Sequence, residues 1–412
     1  MATIKPFVCV RPSLAQASTI AALPYDVYNR KEAKAVVEQN GKSFLTIDRP
    51  ETGLADDADM YAPEVYERAN TMLQDWIAAG DFVRDEDKAY YLYELTMNGR
   101  VQTGIVACAS IDDYQNGVIK KHENTRAEKE QDRICHVDVC SAQTGPIFLA
   151  YRAKEIISSV VAKVKAEIPV YDFVSEDGIR HRVFKIAGAE DCRTIEETFA
   201  TINHIYIADG HHRAASAVKV GLRRREAYPN YTGEEEFNYF LSVLFPDEEL
   251  MIMDYNRVVK DLNGLSEEAF LEKVKEVFDV TEASAQIAPQ KKAEFTMFLA
   301  GKWYVCTVRP EDIPSDPVES LDVSLLQNLF LEPVLGILDP KTDARIDFVG
   351  GIRGLGELEK RCATDCQVAF AMYPTSIQEL FDVADANLLM PPKSTWFEPK
   401  LRSGLFIHEF ER

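Results

Sequence analysis

The sequence predicts a mixed α+β fold, and three observations lead to this prediction. Stretches with helical periodicity and β-rich runs follow one another along the 412 residues without the regular βαβ rhythm of a doubly wound sheet. Two dipeptides typical of tight hairpins, Asn98-Gly99 and Asp177-Gly178, each join two β-rich runs. Hydrophobic residues make up 46% of the chain, which is enough for a substantial buried core in two or three units.

Residues 1–110 are expected to form an N-terminal α+β region. A helical pattern over residues 30–41 is closed by Gly41, and a second pattern over 62–80 has Pro63 near its start and Gly80 after its end. Two β-rich runs then meet at Asn98-Gly99, which predicts a hairpin over residues 89–111.

Residues 111–250 are expected to form a central region. We predict a charged helix over 122–137, a longer amphipathic helix over 147–168, a hairpin over 170–186 and a helix over 189–202. A strand over 204–208 precedes a helix that begins at His211 and is expected to end near Gly221, followed by a strand over 237–245.

Residues 251–412 are expected to form a C-terminal α+β domain. A β-rich run over 249–259 leads into it, a helix over 267–278 follows, and a strand pair covers 294–309. Helical and strand patterns alternate over the last hundred residues, and the glycines of "FVGGIRGLGELEK" are interpreted as turn residues.

The charge and composition exclude several classes of protein. With 46 Lys and Arg against 67 Asp and Glu, the net charge of −21 disfavours a nucleic-acid partner. No apolar run reaches the ~18 residues of a membrane span, and the N-terminal residues lack a signal-peptide pattern. Eight cysteines without zinc-site spacing indicate free thiols in a reducing compartment. We therefore expect a cytoplasmic protein without a membrane partner.

The stretch "IYIADGHHRAAS" is the strongest candidate for a functional site. Asp209 and Gly210 form the turn between a strand and a helix, so the free N–H groups of the first helical turn and the fork of Arg213 could bind an anion such as phosphate. His212 could donate to a phosphate oxygen, and Asp209 could accept a proton or hold a magnesium ion. A helix-capping aspartate beside surface histidines explains the same pattern, and the residues alone leave both interpretations open.

Two further clusters carry residues suited to anions. Lys120, His122, Glu123 and Thr125 precede a charged helix, and on their own they indicate an N-terminal turn with a solvated face. The second cluster lies in "MPPKSTWFEPKLRSGLF", where Lys393, Ser394 and Thr395 follow two prolines and Lys400 and Arg402 come shortly after. It resembles an anion-binding loop but lacks the G-x-x-x-x-G-K-[ST] order of a Walker A loop.

Several stretches in order along the chain resemble the domain-of-unknown-function 1015 family. They are "KPFVCVRPS", "LPYDVYNRKEA", "GKSFLTIDRPE", "GIVACASIDDYQNGVIKKHENTRAEKEQDR", "YIADGHHRAASA", "NYFLSVLFPDEEL", "YPTS" and the C-terminal "MPPKSTWFEPKLRSGLF". The sequence is identified as a member of this family, which by itself implies no activity.

A more distant resemblance concerns the central region and its D-G-x-H-R motif. It is similar to ParB/sulfiredoxin-like domains, and among these to free-serine kinases, which implies a ParB/sulfiredoxin-like core of mixed α/β structure. The resemblance implies that Asp209 is catalytic and that Glu123 is the general base. About 85 residues separate the two, so an insertion into the compact domain is required. His211 stands where sulfiredoxins have cysteine, which argues against reduction of a sulfinic acid.

These observations lead to one main functional hypothesis. It is a nucleotide-dependent kinase that phosphorylates a small hydroxylated metabolite, with free serine as the default acceptor, ATP or ADP as nucleotide and magnesium as metal. The expected phosphate-binding residues are Gly210, His211, His212, Arg213, Lys120, His122, Lys393, Ser394, Thr395 and Lys400. The alternatives are a non-catalytic nucleotide-binding regulatory protein of ParB-like type and a phosphoester hydrolase. The expected partners are the small-molecule substrate and the nucleotide, and a homodimer is the assembly considered.

Overall fold

The computed structural model describes residues 1–125 and 127–411. These residues form two compact units. The first unit contains residues 1–250 together with 399–412, and the second contains residues 251–398.

The strands are numbered in chain order. They are β1 Ile4–Lys5, β2 Cys9–Pro12, β3 Phe82–Arg84, β4 Tyr90–Met97, β5 Arg100–Ser110, β6 Ile119–Lys120, β7 Ala142–Gln143, β8 Ile147–Tyr151, β9 Tyr171–Val174, β10 Arg180–Ile186, β11 Ile205–Asp209, β12 Tyr239–Pro246, β13 Ile252–Met253, β14 Tyr255–Val259, β15 Asp279–Ala283, β16 Glu294–Leu299, β17 Lys302–Thr307, β18 Ile346–Gly350, β19 Val368–Ala371, β20 Trp396–Phe397 and β21 Ile407–Glu409.

The α-helices are numbered in the same way. They are α1 Ala17–Ile20, α2 Arg30–Gln39, α3 Leu45–Asp48, α4 Pro63–Ala78, α5 Ile111–Gln115, α6 Ala127–Cys140, α7 Glu155–Lys165, α8 Ala189–Phe199, α9 His211–Ala227, α10 Glu267–Val277, α11 Asp322–Leu326, α12 Leu355–Thr364 and α13 Ile377–Asp385.

A mixed sheet organises the first unit. Its strand order is β6-β11-β8-β12-β5-β4-β10-β9, with β1 paired to the end of β5. The pairs β6–β11 and β8–β12 are parallel, whereas the other neighbours are antiparallel. A smaller sheet of order β3-β2-β21-β7 brings the C-terminal residues into this unit. Mixed sheets with helices outside them are typical of the predicted α+β class, which is confirmed.

The two predicted hairpins form where their turn residues allow it. Asn98 and Gly99 have φ of 52° and 81°, and they join β4 to β5 with Met97 opposite Arg100. Positive φ at both central residues is what a two-residue turn between twisted strands requires. Gly178, with φ of 79°, lies in the turn between β9 and β10.

The main core lies between this sheet and its helices. Ile205 and Ile207 of β11 are fully buried in it, together with Leu149 of β8 and Ala214 of α9. Burying an aliphatic side chain of this size contributes about 1.5–3 kcal/mol. The strand that carries the candidate motif is therefore held in the centre of the unit.

The second unit has its own antiparallel sheet of order β15-β17-β16-β19-β14-β18 and the two-stranded pair β13–β20. Its core includes Val258, Ala369 and Leu358, all buried. Within residues 1–125 and 127–411, no helix has both the length and the apolar composition needed to cross a membrane.

Two expectations differ from the structure. Residues 147–168 contain β8 and α7 rather than one helix, because "IFLAY" is a fully buried run between two neighbouring strands and such a run has no distinguishing period. Helix α9 continues through Gly221 to Ala227. A Cβ on Gly221 would lie 2.4 Å from the carbonyl oxygen of Phe237, so this glycine permits close packing and does not end the helix.

The predicted division into three regions stays a prediction. In the structure, residues 1–250 lie together in the first unit. The reason is that β4 and β5 belong to the same sheet as β8, β11 and β12. Residues 399–412 also belong to the first unit, through β21.

Candidate functional site

Two parallel strands bring the separated candidate residues to one edge of the large sheet. Strand β6 ends at Lys120 and β11 ends at Asp209, and they pair with Lys120 opposite Tyr206. Because the carboxyl ends of parallel strands lie at the same edge, the residues after β6 and those after β11 become neighbours. Glu123 and the histidines of the motif therefore meet despite their distance in sequence.

A β-bulge changes the direction of the motif at its first residue. The pairing of β11 with β8 shifts in register between Ile207 and Asp209, which is opposite Phe148. Regular alternation would direct Asp209 to the same face as the buried Ile205 and Ile207. The extra residue, Ala208, lets the carboxylate leave the core face, and bulges commonly serve this purpose beside functional sites.

Gly210 forms the link between β11 and α9 in a left-handed conformation. Its φ is 94° and its ψ is 32°, and a Cβ there would lie 3.0 Å from Nε of Arg213. A side chain is thus disfavoured both by the backbone conformation and by the arginine. The first amides of α9 have no carbonyl partner within the helix, so they point at the same edge of the sheet.

Replacement of Gly210 by alanine is expected to lower the free energy of unfolding by about 1–2 kcal/mol, since a non-glycine residue is strained in this region. Urea unfolding of the Gly210→Ala protein measures the effect. The matched control is Gly356→Ala in α12, where a Cβ meets nothing within 4 Å and the φ is not positive. Equal stability of Gly210→Ala and wild type would contradict the assigned conformation.

Asp209 forms an ion pair that keeps it ionised. Lys400 Nζ donates to Asp209 Oδ2 at 2.9 Å, and the backbone N–H of Gly210 donates to Oδ1 at 2.8 Å. Burial by itself raises the pKa of this carboxyl, but the charges of Lys400 and Arg213 outweigh it and hold the pKa below its ordinary value. The side chain is 31% exposed, so one side of the carboxylate reaches solvent.

His122 and His211 form a buried pair next to Asp209. Their ring centroids are 4.5 Å apart in an edge-to-face arrangement, and the residues are 3% and 6% exposed. Burial lowers the pKa of His122 to about 4, against the opposing effect of Asp209, and burial also lowers the pKa of His211. Both rings are therefore neutral at pH 7, and His122 does not lie on the solvated face considered above.

The hydrogen bonds of the two rings leave one nitrogen on each unused within residues 1–125 and 127–411. His122 bonds to the backbone of Ile207, while its Nδ1 has no hydrogen-bond partner. His211 Nε2 likewise has none. Buried polar atoms without partners are uncommon in proteins and are frequent where a ligand or water binds.

Glu123 approaches the same pair from the end of β6. Its Oε2 lies 4.0 Å from Nδ1 of His211, and the side chain is 51% exposed. The carboxylates of Asp209 and Glu123 thus both lie near His211. The structure brings these two predicted catalytic residues together.

Arg213 is partly engaged by the protein itself. Its Nη1 donates to the carbonyl oxygen of Pro146 at 2.5 Å, and its guanidinium packs beneath Gly210. Nε is buried and has no hydrogen-bond partner in the part of the chain that the structure describes. Arg213 therefore holds the turn of the motif against the loop before β8, in addition to supplying positive charge.

Two other predicted phosphate-binding residues also lie in this area. Lys120 is the last residue of β6, half-buried, and His212 is a half-buried residue in the first turn of α9. Both residues lie at the edge of the sheet where β6 and β11 end.

The residues Lys393, Ser394 and Thr395 belong to the second unit. Lys393 has a φ of 59° and its Nζ lies 5.5 Å from the ring centroid of Tyr255. The hydroxyl of Ser394 donates to the carbonyl oxygen of Pro391 at 2.6 Å, which stabilises the loop. Their part in phosphate binding stays a prediction.

A resident metal centre does not fit the residues seen in the structure. Within residues 1–125 and 127–411, no group of three or more His, Cys, Asp or Glu side chains is arranged to hold a metal ion. Magnesium in phosphoryl transfer commonly has only one or two protein carboxylates and takes its other ligands from phosphates and water. Asp209 fits that lesser role.

A polar network around Arg402 was not predicted from the sequence. Arg402 is 3% exposed, and its guanidinium donates to Asp177, to Ser175 Oγ at 3.1 Å and to His181 Nε2 at 3.4 Å. Tyr93 accepts from or donates to the other ring nitrogen of His181 at 2.8 Å. The sequence shows Arg402 only as a cation two residues after Lys400. No sequence signal connects it to a hairpin turn more than 200 residues earlier.

Burial of His181 predicts a pH-dependent contribution to stability. Burial, together with the charge of Arg402, lowers the pKa of this histidine to about 3, below the ~6.5 of an unfolded chain. Its contribution is therefore fully present above pH 6.5 and is lost as the pH falls toward 3, because the unfolded chain takes up the proton first. Between pH 7 and pH 5 the loss is expected to be about 2 kcal/mol.

Comparison of wild type with His181→Gln isolates this effect. The difference in their free energies of unfolding in urea is expected to shrink by about 2 kcal/mol from pH 7 to pH 5. The difference between the two proteins is used because Asp322 also titrates in this range. Burial raises the pKa of Asp322 to about 7, so its protonation changes the total stability in the opposite direction. A difference that is the same at both pH values would show that His181 is not held neutral by the fold.

Comparisons with solved structures place the chain beside several proteins at low similarity. SbnI with a C-terminal truncation, from Staphylococcus aureus, is 11% identical with a TM-score of 0.39, over 74% of this chain and 87% of that one. A free serine kinase in complex with AMP is 15% identical with a TM-score of 0.36, over 74% and 91%. A conserved hypothetical protein from Pyrococcus furiosus is 16% identical with a TM-score of 0.35, over 74% and 95%.

Comparisons of sequence are more decisive. No curated protein matches the chain. Residues 4–324 match the family described as "Protein of unknown function (DUF1015)", and this range includes β6, the DGHHR motif and α9. The match covers well over half of the 412 residues. The chain therefore belongs to the DUF1015 family.

Proposed function

We propose that the protein is a nucleotide-dependent phosphotransferase that phosphorylates a small hydroxylated metabolite, with free serine as the first acceptor to test. The observation that carries the proposal is the convergence at one sheet edge of Asp209, paired to Lys400, and Glu123, 4.0 Å from His211. Phosphoryl transfer requires positioning, cations near the transferred group and a base for the acceptor hydroxyl.

The positive groups would bind the phosphates of the nucleotide. Lys400 is held in place by Asp209, with only 17% of its side chain exposed, and the first amides of α9 lie directly after Gly210. The rings of His122 and His211 are neutral, and the nitrogen without a partner on each ring can form one hydrogen bond with the bound nucleotide. Magnesium, carried by the nucleotide phosphates, would neutralise their charge and would find Asp209 as its protein carboxylate.

The two carboxylates, Asp209 and Glu123, would have different roles in the transfer. Asp209 remains ionised because Lys400 and Arg213 lower its pKa, so it orients the acceptor or the metal and does not exchange protons at neutral pH. Glu123 is half-exposed and faces the same pair of histidines, so it is placed to accept the proton of the acceptor hydroxyl.

The test begins with thermal shifts of the wild-type protein in ATP and ADP, each with and without magnesium. A ligand at about 100 times its Kd adds about 2.7 kcal/mol to the stability, which is readily seen. Transfer is then measured with ATP, magnesium and L-serine by following ADP and phosphoserine. Stabilisation with transfer supports the kinase, and stabilisation without transfer to any small alcohol of a broad panel supports the nucleotide-binding regulatory protein. No stabilisation by either nucleotide would refute both.

A further inference from the structure

A cavity in the first unit lies beside the Arg402 network. It has a volume of about 280 Å³ and is formed by α1, the end of α2, the start of α3 and the turn between β9 and β10. Arg402 is the one arginine or lysine among its lining residues. The residues of the DGHHR motif do not line it.

The cavity has a buried floor and an exposed mouth. Arg402, Ser43 and Leu45 on the floor are 3%, 4% and 0% exposed. The mouth is formed by exposed residues, among them Thr19 and the acidic pair Glu176 and Asp177. Arg402 therefore lies at the base in direct contact with the carboxylate of Asp177, and Glu176 adds a second carboxylate to the lining.

The guanidinium at the base forms hydrogen bonds with three side chains of the protein. Its Nη2 donates to Asp177 and to Ser175, and its Nε donates to His181. Burial makes this fork less hydrated and therefore a stronger partner for a carboxylate than an exposed arginine would be. Because Asp177 already balances the charge of Arg402, the cavity as a whole does not favour a plain anion.

We infer that this cavity binds a small zwitterion of the α-amino acid class. Its carboxylate would face Arg402, its ammonium group would face Glu176 and Asp177 at the mouth, and its side chain would meet the mixed apolar and hydroxyl walls. A ligand that carries both charges on neighbouring groups matches a guanidinium that lies beside carboxylates, whereas a carboxylate or an amine alone matches only one of the two. The inference does not depend on the proposed kinase activity.

Arg402 belongs to a short segment that also reaches the motif site. Lys400, two residues before it, donates to Asp209 at 2.9 Å. Ser403, the next residue, forms two backbone hydrogen bonds with Ala22, which lines the cavity. The N–H of Ser403 donates to the carbonyl oxygen of Ala22 at 2.9 Å, and the N–H of Ala22 donates to that of Ser403 at 3.2 Å. The segment from Lys400 to Ser403 thus contacts both the cavity and the motif site.

Binding is tested on the full-length protein with the standard L-amino acids, by thermal shift and then by calorimetry for those that raise the Tm. At least one amino acid is expected to bind, and acetate and ethylammonium are expected to bind at least about tenfold more weakly. If no amino acid binds, or if acetate binds as tightly, the inference is wrong.

Variants locate the binding in this cavity. Thr19→Trp places a large side chain at the mouth and is expected to abolish binding, whereas Thr71→Trp on the exposed face of α4 serves as the matched control and should bind like wild type. Glu176→Gln is expected to weaken binding about two- to fivefold, as removal of an exposed partner charge does. Unchanged affinity in Thr19→Trp, with both tryptophan variants folded, would show that the ligand binds elsewhere.

A further variant separates this inference from the proposed function. Asp209→Asn leaves the lining residues of the cavity unchanged, so amino-acid binding should persist in it. Loss of amino-acid binding in Asp209→Asn would place the ligand at the motif and would overturn the assignment to the cavity.

Discussion

Replacement of Asp209 by asparagine is expected to lower the rate of phosphoryl transfer by at least about a hundredfold, and up to about a thousandfold, or roughly 3–4 kcal/mol of transition-state stabilisation. Asparagine keeps the shape and can still accept from the N–H of Gly210, but it loses the charge that holds Lys400 and that would meet the metal. The initial rate of ADP formation with the best acceptor measures the effect.

Nucleotide binding should survive the same substitution, because Lys400 and the first amides of α9, which would bind the phosphates, remain and the change removes a negative charge beside them. Thermal shift with ATP therefore serves as the internal check that Asp209→Asn is folded. The matched control is Asp112→Asn, which removes a carboxylate paired to Arg225 at the other end of α9 and should leave turnover within about twofold of wild type. Full activity in Asp209→Asn would remove this carboxylate from the mechanism.

Replacement of Glu123 by glutamine is expected to lower turnover by about a hundredfold to ten-thousandfold, which is the range attributed to general-base catalysis. Glutamine is nearly isosteric but cannot accept the hydroxyl proton. The KM for the nucleotide should change little, because the phosphate partners Lys400 and the amides of α9 remain in place. Steady-state kinetics that vary nucleotide and acceptor separately measure the two effects.

The control for this variant is Glu128→Gln, at an exposed position in the first turn of α6. It should have the kinetics of wild type. A Glu123→Gln enzyme whose kcat is unchanged and whose nucleotide KM rises would show that Glu123 binds and does not act as a base. An unchanged enzyme in every respect would leave Asp209 as the one carboxylate of the reaction.

Local sequence was sufficient to predict the elements that depend on only a few neighbouring residues. Asn98 and Gly99 adopt positive φ easily, so the β4–β5 hairpin could be recognised from the dipeptide alone. The change from a strand to a helix at Asp209-Gly210 was predicted for the same reason, since few residues other than glycine tolerate a φ of 94°.

The errors arose where burial from distant segments decided the outcome. The run "IFLAY" has no period, and it is a strand because β11 and β12 pair on its two sides. Gly221 resembles a helix end, yet α9 continues because the glycine admits the backbone of Phe237. No local rule distinguishes these cases, because the partner in each case comes from a different part of the chain.

The sequence by itself determined the α+β class, the family and the strand–glycine–helix turn of the motif, because composition, ordered motifs and backbone preferences are properties of short segments. Only the tertiary structure decided that Glu123 meets His211, that Lys400 pairs with Asp209 across 191 residues, and that His122 is buried and neutral. Each of these depends on parallel pairing of β6 with β11 or on the return of the C-terminal segment, and charge and pKa depend on the distances that such pairing creates.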